Sequence, residues 1–221
     1  MRKVKIAPSI LSANFKELDT EIAKIIAAKA DYLHFDVMDG HFVPNISFGL
    51  PVLESLRGYD LVYDVHIMIS DPLFYAPRFV KAGADIVTFH YEALKTHEER
   101  IAVINSIKKA GGKVGMSIKP NTPIDVIFPY LPNLDLVLIM SVEPGFGGQE
   151  FIENALPKIA KLRHEIDTNK YRTLIEVDGG INEITAQKCV ESGADVLVAG
   201  SYLFGHEDIK ERIEKLRNGT R

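Results

Sequence analysis

A regular alternation of short extended stretches with helical ones constrains this chain more than any other feature. Eight segments rich in β-branched and apolar residues fall at 4–7, 32–37, 61–67, 86–90, 114–118, 134–140, 173–177 and 196–199. The segments between them carry helical spacing, as in Leu18, Ile22, Ile25 and Ile26, or in Ile101, Ile104, Ile107 and Lys108, with polar residues in between. Strands that alternate with helices imply a parallel sheet. Three helical segments close on the same signal: Lys81-Ala82-Gly83-Ala84-Asp85, Lys109-Ala110-Gly111-Gly112-Lys113 and Glu191-Ser192-Gly193-Ala194-Asp195. A glycine there can take the left-handed conformation that caps a helix C-terminus, and the next strand starts within a few residues, as at the bottom of a barrel. Eight such units in 221 residues leave little room for insertions, and no linker or low-complexity tract divides the chain. The expectation is an α/β fold, a single-domain (β/α)8 TIM barrel spanning 1–221. An open doubly wound sheet would usually carry Gly-x-Gly-x-x-Gly after its first strand, where this chain has Pro8-Ser9-Ile10-Leu11.

Composition narrows the function. With 46% hydrophobic and 25% charged residues the chain can build one sizeable core under a solvated surface. Its 30 acidic and 26 basic side chains, net −4, are scattered without a long run of one sign, which argues against a nucleic-acid surface. Cys189 is the only cysteine, so neither an intrachain disulfide nor a cysteine-paired zinc site can form, and a reducing cytosol is expected. The first residues turn polar quickly, and no apolar run approaches the roughly 20 residues of a membrane span. A cytoplasmic protein is expected.

Polar residues interrupt the strands where apolar ones would be the default. The second stretch ends Leu33-His34-Phe35-Asp36-Val37-Met38-Asp39-Gly40, so His34 and Asp36 lie two apart on one face. The third supplies His66 in Asp64-Val65-His66-Ile67-Met68, and the seventh supplies Asp178 in Glu176-Val177-Asp178-Gly179-Gly180. Parallel barrels collect their chemistry at the carboxyl ends of the strands, and these four residues come to such ends from three strands. His34, Asp36, His66 and Asp178 are expected to converge on one divalent ion. Two imidazoles with two carboxylates suit zinc, iron, manganese or cobalt without choosing among them. His90, at the fourth strand end, is read as a supporting partner behind the ligands. His97, His164 and His206 are read as surface groups and His41 as structural.

Glycines cluster at the same end of the chain's later strands. Asp178-Gly179-Gly180-Ile181-Asn182 follows the seventh, and Ala199-Gly200-Ser201-Tyr202 the eighth. In many barrels these two loops bind phosphate through backbone N–H groups. A third cluster, Pro144-Gly145-Phe146-Gly147-Gly148-Gln149, follows the sixth strand and is expected to be a mobile lid that closes over a substrate.

Taken in order, the stretches Ile6-Ala7-Pro8-Ser9-Ile10-Leu11-Ser12-Ala13, His34 to Asn45, His66-Ile67-Met68, Pro144 to Gln149 and Val177 to Ile181 resemble the ribulose-phosphate 3-epimerase family. The resemblance runs from the first strand to the eighth and implies a ribulose-phosphate-binding barrel of the pentose phosphate pathway. It implies that His34, Asp36, His66 and Asp178 ligate one divalent metal and that Asp36 and Asp178 are also the acid/base pair. Ser9 and His66 would contact substrate oxygens, while Gly145, Phe146, Gly147, Gly148, Gly179, Gly180, Gly200 and Ser201 would hold the phosphate. Met38, Met68 and Met140 match positions packed around the reacting centre. Tyr202 departs from the small residue more often found after such a Gly-Ser pair, but leaves the backbone donors intact. Expected partners are a small phosphorylated ketose and further copies of the chain in a homo-oligomer, with neither nucleic acid nor membrane.

The chemistry explains the residue types. Inverting a carbon beside a ketone removes a proton from one face and returns one to the other, so two carboxylates on opposite sides are needed. Charge builds on the carbonyl oxygen between the two steps, and a Lewis acid stabilises the enediolate. The implied reaction interconverts D-ribulose 5-phosphate and D-xylulose 5-phosphate. A 3-epimerase of another ketose phosphate, such as allulose 6-phosphate, is the nearest alternative, and a non-catalytic sugar-phosphate sensor is another. A lyase of the related barrels would carry Asp-x-Lys-x-x-Asp in its third strand, where this chain has Asp64-Val65-His66-Ile67-Met68-Ile69.

Overall fold

A computed structural model describes residues 4–218, so the ends of the expected 1–221 span lie outside the described residues. Eight strands form: β1 (Lys5–Pro8), β2 (Tyr32–Met38), β3 (Val62–Met68), β4 (Ile86–His90), β5 (Lys113–Ile118), β6 (Leu136–Met140), β7 (Leu174–Asp178) and β8 (Val196–Ala199). They hydrogen-bond in the order β1-β8-β7-β6-β5-β4-β3-β2, every pair parallel. A parallel bridge between Ser9 and His34 joins the first and last members of that order, and the Ile6 N–H donates to Asp31 Oδ2 at 2.9 Å beside it. The result is the (β/α)8 barrel that the alternation predicts.

The period of two along each strand sorts side chains between two cores. From β2 and β3, Leu33, Phe35, Val37, Val65 and Ile67 face the outer core between the sheet and its helices. A separate inner cluster, including Ala7, Ile86, Leu136, Leu138, Val196 and Val198, fills the barrel. Burying each Leu or Ile contributes roughly 1.5–3 kcal/mol, which makes the strands a rigid frame for whatever their ends carry.

Seven α-helices cover the sheet among the described residues: α1 (Leu18–Ala27), α2 (Leu50–Ser55), α3 (Pro72–Ala82), α4 (His97–Ala110), α5 (Ala155–Asn169), α6 (Glu183–Ser192) and α7 (Ile209–Asn218). The three repeated glycine signals are helix caps as expected, with Gly83, Gly111 and Gly193 left-handed after α3, α4 and α6. In α4 the buried stripe is Val103, Ile104 and Ile107, with Arg100 a turn earlier; Lys108 faces solvent and donates to Asn133 Oδ1 at 3.1 Å. Between β5 and β6 the helical segment Ile124–Asn133 is 3-10 rather than α. Pro129 and Pro132 lie within it, and each removes an N–H that an α-helix would need. Among the described residues no helix is long and apolar enough to cross a membrane.

Candidate active site

Strand register brings the polar residues together. Asp36 lies beside His66 in the β2–β3 ladder and His34 beside Asp64, while Asp178 ends β7 opposite Met140 of β6. His34, Asp36, His66 and Asp178 each offer one ligand atom, and the four atoms lie within 4.8 Å of one another. Asp36 Oδ1 is central, 3.0 Å from His66 Nδ1 and 3.4 Å from His34 Nε2. Its other oxygen accepts the Ser9 hydroxyl at 2.5 Å.

The donor set fits a divalent cation. On the far side of His34, Nδ1 lies 2.6 Å from Asp64 Oδ2, which leaves Nε2 as the nitrogen that faces the cluster. That Nε2 is buried without a hydrogen-bond partner and faces a carboxylate oxygen, an arrangement that a cation would resolve. A third carboxyl, Glu176, joins His34 and Asp64 below the cluster. Burial and the Asp64 charge push Glu176 well above the ordinary carboxylate range, and both of its oxygens are buried without a hydrogen-bond partner.

The two candidate proton carriers have opposite affinities. Burial opposes the charge on Asp36, but the two histidines outweigh it and hold the carboxyl far below its usual value. Asp178 is pushed up to about 7, by burial first and then by the neighbouring charge of Asp36. Of the two, Asp36 is thus the stronger acid and Asp178 the weaker, a difference of the kind that acid/base pairs use. Burial lowers His66, whereas Asp36 and Asp64 overcome burial at His34 and raise it.

Above the cluster opens a small cavity. Asp36, Asp178 and Ser9 form part of its floor, and Met38, Met68 and Met140 its apolar wall. Gly145, Phe146, Gly147, Gly148, Gly179, Gly180, Gly200 and Ser201 all line it. His34 and His66 do not: both are 0% exposed, beneath the floor, and the two nitrogens of His66 meet Asp36 and His90. Gly180 shows why glycine is needed, since its φ is +62° and a Cβ would lie 2.5 Å from the Phe151 nitrogen. The expected lid is anchored internally, with Gln149 Nε2 donating to the carbonyls of Glu143 and Phe146, while Asn45 Nδ2 donates to the Gly145 carbonyl at 2.8 Å. Phe146 stands 55% exposed at its tip.

Tyr202 does not enter this cavity. It turns outward under Arg212, whose guanidinium lies 5.0 Å from the ring centroid, so the departure leaves the glycine-lined end of the cavity unaltered. His41, His97, His164 and His206 are exposed, as expected of the last three; His41 closes a turn on the Asp39 carbonyl at 2.9 Å. His90 packs behind His66. Sequence reasoning passed over Ser12, which lines the cavity beside Gly200 and Gly147, and the supporting carboxyls Asp64, Glu176 and Glu92.

Comparison with known proteins agrees with the geometry. Residues 5–204 match the model of the "Ribulose-phosphate 3 epimerase family". The chain is 49% identical over 216 residues to a ribulose-phosphate 3-epimerase of Bacillus subtilis, covering 97% of this chain and 98% of the relative. It is 43% identical to that of Escherichia coli, covering 99% and 96%. Among solved structures, a 3-hexulose-6-phosphate synthase aligns with a TM-score of 0.73 over 99% of this chain and 100% of its own, at 17% identity, which is a likeness of fold alone. The same barrel is thus shared with that synthase, but the sequence match over nearly the whole chain is to the epimerases, and the chain belongs to the ribulose-phosphate 3-epimerase family.

Proposed function

We propose that this epimerase interconverts D-ribulose 5-phosphate and D-xylulose 5-phosphate by moving a proton at C3 between Asp36 and Asp178, with one divalent ion, zinc, iron, manganese or cobalt, held by His34, Asp36, His66 and Asp178. The observation that carries the reading is one cavity with two carboxyls of the four-residue ligand cluster, Asp36 and Asp178, on its floor and glycine-lined loops at its far end. Bound there, the ion would act as a Lewis acid toward the negative charge that builds on the substrate oxygens.

The chain's own groups supply the rest. Backbone N–H groups of the Gly179-Gly180 and Gly200-Ser201 turns take the phosphate, which fixes the distance from phosphate to reacting carbon. Asp36, ionised, takes the C3 proton from one face, and Asp178, carrying its proton at Oδ, delivers to the other; the reverse reaction exchanges the roles. The Ser9 hydroxyl holds Asp36 Oδ2 and lies where a substrate oxygen would approach. The Pro144–Gln149 segment closes over the bound sugar and excludes water, and Met38, Met68 and Met140 keep the reacting carbon in apolar surroundings.

Asp36→Asn and Asp178→Asn should each abolish epimerisation and solvent deuterium incorporation at C3 while the protein stays folded. An active variant of either kind removes the two-carboxylate scheme. Turnover of ribulose 5-phosphate should exceed that of allulose 6-phosphate; the opposite order would move the substrate to the hexuloses. We further place the protein in the cytosol, which the single buried thiol of Cys189 supports. A homo-oligomer is supported by the exposed Ile46, Leu73, Phe74 and Tyr75, and the mass in solution tests it.

A further inference from the structure

Glu92 lies just beyond β4, in the 3-10 turn Tyr91–Ala93, with its side chain 22% exposed. Its two oxygens face different elements. Oε1 accepts the Lys119 N–H at 2.8 Å and the Thr122 hydroxyl, both from the loop after β5. Oε2 lies 3.3 Å from His90 Nδ1. His90 in turn meets His66 through their Nε2 atoms at 2.8 Å, and both rings are buried.

Both ends of this row meet a carboxylate, Glu92 at His90 and Asp36 at His66, and two neutral imidazoles in contact carry a hydrogen for only one of them; a cation between His66 and Asp36 takes the place of the hydrogen at that end and leaves one arrangement. Two imidazoles in contact need one donor and one acceptor, and an ionised carboxylate can only accept. Glu92 is ionised, because its Oε1 takes both the Lys119 N–H and the Thr122 hydroxyl, two donors that favour the carboxylate over the acid. It therefore requires the hydrogen on His90 Nδ1. A neutral His90 then has a bare Nε2, which accepts from His66 Nε2–H. His66 Nδ1 is left with its lone pair, 3.0 Å from Asp36 Oδ1 and pointing into the four-residue cluster.

We propose that Glu92 is a positioning residue: through His90 it selects the tautomer of His66 that presents Nδ1 to a divalent cation, and through Lys119 and Thr122 it ties the loop after β5 to the same row. The proposal rests on the metal reading given above. It makes His66 the counterpart of His34, whose Nδ1 meets Asp64 on the opposite side. One carboxylate touches its histidine directly, and the other acts at one remove.

Glu92→Gln separates this role from simple loop anchoring. The amide oxygen can still accept from Lys119 and Thr122, but the NH2 group toward His90 would favour the opposite tautomer along the row. Thr122→Val removes a loop contact and leaves the carboxylate in place. Zinc affinity, measured by competition with a chromophoric chelator, should fall 10–100-fold in Glu92→Gln, the range typical of partners that orient a ligand. Thr122→Val should keep it within twofold, excess zinc should restore epimerase turnover in Glu92→Gln, and circular dichroism should match the parent in both. In the zinc-loaded parent, nitrogen-15 NMR of the histidines should find His90 protonated at Nδ1 alone. His90 protonated at Nε2, or equal losses in the two variants, would overturn the proposal, as would parental zinc affinity in Glu92→Gln. A parent that binds no zinc would instead overturn the metal reading and this proposal with it.

Discussion

Asp39 offers a test in which one carboxylate should report on the loop that frames the cavity. Its Oδ1 accepts the N–H groups of His41 and Phe42 at 2.8 and 2.9 Å, and its Oδ2 accepts the N–H and hydroxyl of Ser70 at 2.8 and 2.7 Å. The loop so pinned carries Asn45, which holds the Gly145 carbonyl in the lid. Partial burial opposes the Asp39 charge, but these four donors bring the carboxyl from 3.8 down to about 2. At full strength that difference corresponds to roughly 2.5 kcal/mol of folding free energy. Asp39 is partly solvated, so screening reduces it to about 1 kcal/mol. A folded-state value below the unfolded one means the stabilisation is present above about pH 4 and is lost as pH falls through about 2. Asp39→Asn keeps the shape without the charge and turns an NH2 toward the Ser70 N–H. Urea unfolding at pH 7 should place the variant about 1 kcal/mol below the parent with an unchanged denaturant slope, and near pH 3 the gap should shrink to about half. A gap of equal size at both pH values, or none at pH 7, would refute the assignment of the stabilisation to the ionised carboxylate.

Three further outcomes follow from the same geometry. Gly180→Ala places a Cβ 2.5 Å from the Phe151 nitrogen at a φ of +62°, so we expect a loss of about 2 kcal/mol in stability and a KM at least tenfold higher; parental KM would count against the phosphate assignment. Burial pushes the Cys189 thiol up to about 12, so a thiol reagent at pH 8 should label it only in denaturant, and rapid labelling of native protein would contradict that burial. Stripping metal with a chelator should abolish turnover and lower the thermal midpoint. Restoring it at a hundred times its dissociation constant should return about 2.7 kcal/mol, or roughly 5–10 °C, and full activity in metal-free protein would defeat the metal reading.

The fold was legible because its signals are local: apolar runs of strand length, helical spacing between them, and glycines such as Gly83, Gly111 and Gly193 at the caps. The candidate ligands were legible for a related reason, since His34 and Asp36 two apart must share a face whatever surrounds them. The 3-10 segment could have been read from Pro129 and Pro132, whose missing donors act at short range. The supporting carboxyls are harder, but not equally so. Asp64 stands two before His66, and Glu176 two before Asp178, so both point into a barrel lined elsewhere by residues such as Leu136, Leu138, Val196 and Val198. A polar side chain buried there needs a partner, and three strands offering one each at the same offset, His34 being the third, already imply a hydrogen-bonded layer beneath the ligands. Glu92 carries no such signal. It follows the strand on a turn, where an acidic residue is ordinary, and two of its partners arrive from 27 and 30 residues further along the chain. Only the β4–β5 pairing that sets His90 beside Ser117 brings the Lys119–Thr122 loop within its reach, so its role belongs to the closed barrel and not to any local pattern.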